Sequence, residues 1–88
     1  MKTIYKYELE LEDSQEIPVA GFLKALKVDE QNGKLFLWCL VDTDYNRGRG
    51  LNVAIVGTGN KMESYINNDA YFDTVIMSNG LVWHIFID

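Results

Sequence analysis

The residues best suited to chemistry in this 88-residue chain are two loop arginines and a glycine-rich turn. Arg47 and Arg49 flank Gly48, and guanidinium groups bind phosphate or carboxylate through paired hydrogen bonds. Gly57-Thr58-Gly59 follows a predicted strand, where backbone N–H groups can surround an anion. Phosphate loops usually add a lysine or an adjoining helix, and here only residues 62–66 suggest one helical turn. A purely conformational role for these glycines therefore stays open.

A nucleotide-binding hypothesis joins these residues to the last predicted strand. The arginines and the turn would hold phosphate, and an aromatic ring would stack on the base. Trp38 and Trp83 take corresponding places after two Asn-Gly turns, and each is either a core residue or an exposed anchor. The predicted ligand-binding residues are Arg47, Arg49, Gly57, Thr58, Gly59, Asn60, Trp83 and His84.

One histidine and one cysteine restrict catalytic and metal chemistry. His84 alone excludes a multi-histidine metal site, and a hydrogen-bonded, partly buried ring is its favoured role. Cys39 lies inside the most apolar run, which is typical of a small core residue. A Cys39–His84 nucleophile pair lacks a third group to orient the imidazole, so it is disfavoured. The sequence predicts no catalytic residue, no metal site and no cofactor, and the chain is expected not to be an enzyme.

The elements that must position these residues are antiparallel strands. Asn32-Gly33 and Asn79-Gly80 are strong hairpin signals because asparagine and glycine both accept positive φ. The sequence predicts a mainly β domain over residues 1–88, a small sheet, sandwich or partly open barrel of five to six strands with at most one short helix. The predicted strands are residues 3–12, 22–31, 34–42, 51–56, 71–77 and 81–87.

Alternation predicts which side chains face the core near the start of the chain. In residues 3–12 the apolar face carries Tyr5, Tyr7, Leu9 and Leu11, opposite charged side chains. Residues 13–21 contain the only proline, Pro18, and are predicted to be a connection. In residues 22–31 the predicted inner face carries Phe22, Leu26 and Val28.

Charge and hydrophobicity restrict the partners. The net charge is −5, and five acids fall within residues 8–16. Nucleic-acid binding through phosphates is not expected, because it needs clustered Lys and Arg, and an anionic membrane is disfavoured likewise. Residues 34–41 are apolar on both faces, which requires cover by a sheet, a helix or another subunit. A homo-oligomer is therefore predicted.

Four motifs resemble a family of small, uncharacterised proteins found largely in phages and prophages. They are MKTIYKY at residues 1–7, LWCLVD at 37–42, IVGTG at 55–59 and GLVWHIF at 80–86. In such relatives histidine often follows the Gly-Thr-Gly, where this chain has Asn60.

That resemblance implies a phage accessory protein in the bacterial cytoplasm that antagonises a host defence factor. It would block a host protein with the acidic face of residues 8–16 and exposed aromatic side chains, or sequester a small nucleotide signal as an oligomer. The alternative is a structural or assembly protein of the phage particle. The single cysteine and the absence of a signal-peptide pattern agree with a reducing compartment.

Overall fold

The computed structural model describes residues 1–45 and 47–88, which form two antiparallel sheets packed face to face. Sheet A has the strand order β1-β4-β3, and sheet B has the order β2-β5-β7-β6. The predicted mainly β, antiparallel class is therefore confirmed. The strands are β1 (Lys2–Leu9), β2 (Ser14–Ala20), β3 (Phe22–Gln31), β4 (Lys34–Asp42), β5 (Gly48–Gly57), β6 (Tyr71–Ile76) and β7 (Val82–Ile87).

The core lies between the two sheets and is built by period-two alternation. On β4 every second side chain is buried, namely Leu35, Leu37, Cys39 and Val41. The inner face of sheet B supplies the other half of the core with Val19, Leu51, Val53, Ile55, Val75 and Ile85. Among the described residues no polar or charged side chain is fully buried, so the core is held by apolar contact alone.

The two Asn-Gly turns both close hairpins, but with different geometry. Asn32 and Gly33 have φ values of 54° and 79°, as a two-residue turn with two left-handed positions requires. In the second turn only Gly80 has positive φ, at 89°. There the amide of Gly80 donates to the carbonyl of Met77 at 2.9 Å, which gives a longer loop ending in a glycine bulge.

The segment predicted to be a connection contains β2, so that prediction is wrong and the described residues hold seven strands. Pro18 is tolerated because β2 is an edge strand of sheet B, where a missing N–H breaks no ladder. Gly21, with φ at 66°, then carries the chain from sheet B to sheet A. A Cβ there would clash with the carbonyl oxygen of Asp42, so only glycine fits.

The short helix lies later than predicted. Residues 62–66 form no helical turn, and a 3₁₀ helix spans Asn68–Ala70 instead. Asn67 caps it, its side-chain oxygen accepting from the amide of Asp69 at 2.9 Å. No helix among residues 1–45 and 47–88 is long and apolar enough to cross a membrane.

Two bulges in β3 change the face of one side chain. The register against β4 shifts within residues 22–24 and again within residues 25–27. Val28 still faces the core, but Leu26 lies beside Trp38 on the outer face of sheet A. The predicted inner position of Leu26 is therefore wrong, because an extra residue on one strand reverses the alternation that follows it.

Candidate functional site

The structure gathers six of the predicted ligand-binding residues at one end of sheet B, namely Gly57, Thr58, Gly59, Asn60, Trp83 and His84. β5 pairs with β7 so that Gly57 lies opposite Trp83. A Cβ on Gly57 would lie 2.7 Å from Nδ2 of Asn60 and 3.2 Å from Cζ3 of Trp83. The backbone N–H of Asn60 donates to the backbone carbonyl of Gly57 at 3.0 Å. Tight packing and a closed turn thus account for this glycine without any anion.

His84 is the centre of a hydroxyl network on the outer face of sheet B. Its Nε2 lies 2.7 Å from Oγ1 of Thr58, and its Nδ1 lies 3.0 Å from Oγ1 of Thr74. Thr74 Oγ1 is in turn 2.5 Å from the hydroxyl of Tyr71. A neutral imidazole donates from one nitrogen and accepts at the other, so both nitrogens are satisfied. His84 is hydrogen-bonded and half-buried, the role its place in the sequence favours.

The two tryptophans have different surroundings. Trp83 lies on the inner face of sheet B, where it packs against the hydrophobic core. Its Nε1 is buried and has no hydrogen-bond partner among the described residues. Trp38 is half-buried on the outer face of sheet A. Of the two, Trp38 is the one whose ring lies on an outer sheet face.

Arg47 and Arg49 lie at the opposite end of β5 from the Gly-Thr-Gly turn. From Arg49 to Gly57 the strand extends about 26 Å, at about 3.3 Å per residue. The guanidinium carbon of Arg49 lies 5.4 Å from the ring centroid of Phe22, which holds the side chain at that end. A single chain therefore does not place both arginines and the turn around one small anion.

The outer face of sheet A carries a surface that the sequence analysis missed. Odd-numbered β4 side chains are buried from 35 to 41, so even-numbered ones point outward, and their cross-strand partners share that face. We call it the lysine face. It comprises Lys2, Ile4, Lys6 and Glu8 of β1, Lys24, Leu26, Lys27, Asp29 and Gln31 of β3, and Lys34, Phe36, Trp38, Leu40 and Asp42 of β4.

Positive charge is concentrated on the lysine face, which holds five of the six lysines and only three acids. Each acid is within 4.0 Å of a cation, in the pairs Glu8–Lys34 at 3.7 Å, Asp29–Lys27 at 4.0 Å and Asp42–Met1 amine at 3.2 Å. Within the described part of the chain, Lys2, Lys6 and Lys24 have no carboxylate within that distance. A chain with a net charge of −5 thus presents one face of the opposite sign.

Apolar side chains occupy the middle of the lysine face. Ile4 and Leu26 are 54% and 40% exposed and line a shallow groove with Trp38. The ring of Phe36 lies 6.1 Å from that of Trp38, tilted by 58°. The Nζ atom of Lys6 lies 4.5 Å from the Phe36 centroid, so a cation covers this second ring.

A comparison with known families identifies the chain at the level of the family. A family model described as "Domain of unknown function (DUF7352)" matches residues 1–88. The chain belongs to the DUF7352 family. No curated protein and no solved structure matches it.

The DUF7352 chain also has a cleft of about 370 Å³ on the outer face of sheet B, beneath residues 65–70. Ala54 and Phe86 line it together with the amide side chains of Asn52 and Asn67. Its charged lining residues are Glu16 and Asp88. Because both are acids, this cleft disfavours the phosphate groups of a nucleotide. None of the predicted ligand-binding residues lines it.

The remaining reactive groups of the DUF7352 chain are kept apart. Cys39 faces the core from sheet A, whereas His84 lies on the outer face of sheet B, so they form no pair. Burial raises the pKa of the Cys39 thiol to about 11, which keeps it protonated near neutral pH. Among residues 1–45 and 47–88, no group of three or more His, Cys, Asp and Glu side chains could hold a metal ion.

Proposed function

We propose that this chain is a non-catalytic binding protein of a phage, which acts in the cytoplasm of the bacterial host and antagonises a defence factor. The observation that carries the proposal is the lysine face, where Ile4, Leu26 and Trp38 form an apolar groove with a charged rim. A contiguous apolar patch rimmed by polar residues is typical of an interaction site. The resemblance of four sequence motifs to phage and prophage proteins supports a phage origin.

Binding fits the reactive groups better than catalysis does. The Cys39 thiol is buried with a raised pKa, so it lacks the thiolate that a nucleophile needs. Both ring nitrogens of His84 contact threonine hydroxyls, and among the described residues no carboxylate hydrogen-bonds to the imidazole to orient it as a catalytic base. Binding through the lysine face requires no reactive group, because a protein that covers its target is enough to block that target.

Two other occupants compete with a host molecule. A second copy of the chain, as in the predicted homo-oligomer, would cover the apolar groove. Pairing two lysine faces, however, would bring like charges together, which is costly at an interface. Sequestration of a nucleotide would need an oligomer of another kind, which brings Arg47 and Arg49 of one copy to the Gly57-Thr58-Gly59 turn of the next.

The proposal is tested by site-specific photo-crosslinking in phage-infected bacteria. A photoreactive phenylalanine analogue is placed at Ile4, which is 54% exposed on the lysine face, or at Leu81, which is 50% exposed in the last hairpin turn. The expected result is a strong adduct from Ile4 and none from Leu81. No adduct from Ile4, or equal adducts from both sites, would contradict the proposal. Recovery of the chain in purified phage particles would instead support the virion alternative.

A further inference from the structure

We propose that the molecule bound by the lysine face is a single-stranded nucleic acid, an inference that rests on the proposed function because it uses the same face. The net charge of −5 suggests the opposite, since phosphate binding requires clustered cations. The fold supplies that cluster by collecting five of the six lysines on one surface. The acids of residues 10–16 lie outside it, in the β1–β2 turn and on β2.

The lysines lie on both sides of the central aromatic residue. Lys6 on β1 and Lys27 on β3 are the cross-strand neighbours of Trp38, and Lys24 lies opposite Leu40. A polynucleotide crossing this sheet would therefore meet a cation on each side of the ring. Lys2, Lys6 and Lys24 have no carboxylate partner within 4.0 Å among the described residues, so no acid neutralises their charges. Lys6 donates to Oε1 of Gln31 at 2.6 Å, and this amide is uncharged.

Trp38 provides the stacking platform that an unpaired base needs. Proteins that bind single strands place aromatic rings on an exposed sheet face and track the backbone with cations. On the lysine face Phe36 is covered by Lys6, whereas Trp38 borders the groove formed with Ile4 and Leu26. A duplex keeps its bases stacked inside, so this geometry favours a single strand over a double strand.

An acidic protein surface is the nearest alternative occupant. It would also satisfy the lysines, but it offers separate carboxylates rather than a continuous row of charges next to flat apolar rings. The combination of lysines flanking one accessible tryptophan matches the repeating phosphate and base of a nucleic acid more closely.

The test is fluorescence anisotropy with labelled twelve-residue oligo-thymidine and oligo-uridine, and with a duplex of equal length. Three available lysines predict a slope of about −2 for the logarithm of the binding constant against the logarithm of salt concentration. Binding should therefore weaken about 20-fold between about 50 and 200 mM salt. For Lys2→Gln/Lys24→Gln the same change of salt should weaken it only about threefold.

Matched variants locate the contact. Trp38→Leu keeps an apolar side chain but removes the indole, and should weaken binding about tenfold. Lys61→Gln removes a lysine outside the lysine face and should leave the affinity for the oligonucleotide unchanged. Circular dichroism melts establish that each variant is folded. Absence of binding at about 50 mM salt, or binding that Trp38→Leu and Lys2→Gln/Lys24→Gln leave unchanged, would overturn the inference.

The photo-crosslink at Ile4 separates this inference from the proposed function. A nucleic-acid adduct at Ile4 together with oligonucleotide binding supports both. A protein adduct at Ile4 without oligonucleotide binding retains the proposed function and rejects the nucleic acid. An adduct to a second copy of the chain assigns the face to a homo-oligomer and rejects the inference. No adduct and no binding reject both.

Discussion

The Nε2 atom of His84 lies 2.7 Å from the hydroxyl oxygen of Thr58, and this contact ties β7 to the turn that ends β5. The other ring nitrogen contacts Thr74 on β6 at 3.0 Å. One side chain thus links three consecutive segments of sheet B. Because the residues come from positions 58, 74 and 84, the network depends on the register of the two strand pairs.

Removing the Thr58 hydroxyl should destabilise this end of sheet B. Thr58→Val keeps the shape of the side chain but leaves the imidazole without one partner, which costs about 1 kcal/mol of unfolding free energy. Thr58→Ser retains the hydroxyl and should lose clearly less. Urea denaturation of the three proteins measures the difference, and equal stability of the valine and serine variants would show that the contact contributes nothing.

The same leucine-to-alanine substitution at Leu37 and at Leu40 compares the two faces of β4. Leu37 is fully buried between the sheets, and Leu37→Ala should lower the free energy of unfolding by about 3 kcal/mol. Leu40 lies half-buried on the lysine face, so Leu40→Ala should cost well under half as much. The comparison uses urea midpoints. Similar losses at both positions would mean that another layer covers the lysine face in solution.

Alanine substitutions at Gly21 and Gly33 distinguish the cost of backbone strain from the cost of a steric clash. Both have positive φ, at 66° and 79°, which costs a non-glycine residue about 1 kcal/mol. A Cβ on Gly33 would meet no atom within 4 Å, whereas one on Gly21 would collide with the carbonyl oxygen of Asp42. Gly33→Ala should therefore remain folded with a modest loss, and Gly21→Ala should be much less stable or unfolded. Thermal melts followed by circular dichroism measure the two variants. Equal melting temperatures of Gly33→Ala and Gly21→Ala would contradict a clash at Gly21.

Cys39 should make stability depend on alkaline pH. Burial raises the pKa of its thiol from an ordinary 9.0 to about 11, so between these values the unfolded chain loses a proton that the folded chain keeps. The free energy of unfolding should consequently fall as pH rises from about 9 to about 11, and its contribution is fully present below pH 9.

Cys39→Ala isolates this effect because it removes the titrating thiol and leaves the other groups in place. The stability difference between the unmodified protein and Cys39→Ala, measured by urea denaturation, should narrow or change sign as pH rises from about 9 to about 11. A difference that stays constant with pH would show that Cys39 does not titrate in this way.

The nucleotide-sequestration hypothesis makes a separate prediction. Native mass spectrometry of the protein purified from bacterial cells should show an oligomer with additional mass in the nucleotide range. Arg47→Gln/Arg49→Gln should abolish that mass, because both cations that would hold phosphate are gone. Ligand retained by the double variant would exclude the arginines from the site, and a bare protein would direct attention to the lysine face.

Local sequence determined much of the fold. Asn32-Gly33 specifies a tight hairpin because both residues tolerate left-handed backbone, and alternation in residues 34–42 places Leu37 and Cys39 in the core. The presence of Pro18 led to the wrong prediction of a connection in place of β2, because proline is excluded from central strands but not from an edge strand. Whether a strand lies at the edge or in the centre is a property of the whole sheet, so the residues of that strand alone do not reveal it.

The candidate binding surface was decided by tertiary structure alone. Lys6 lies far in sequence from Lys24 and Lys27 within an acidic composition, and only the pairing of β1 and β3 with β4 brings them to one face with Trp38. The bulges of β3 add Leu26 to the same surface by reversing the alternation. The sequence by itself determined which residues can form strands and turns, because those preferences act over a few residues. Which strands become neighbours, and in which register, depends on contacts between distant segments, and these collect the lysines on one face.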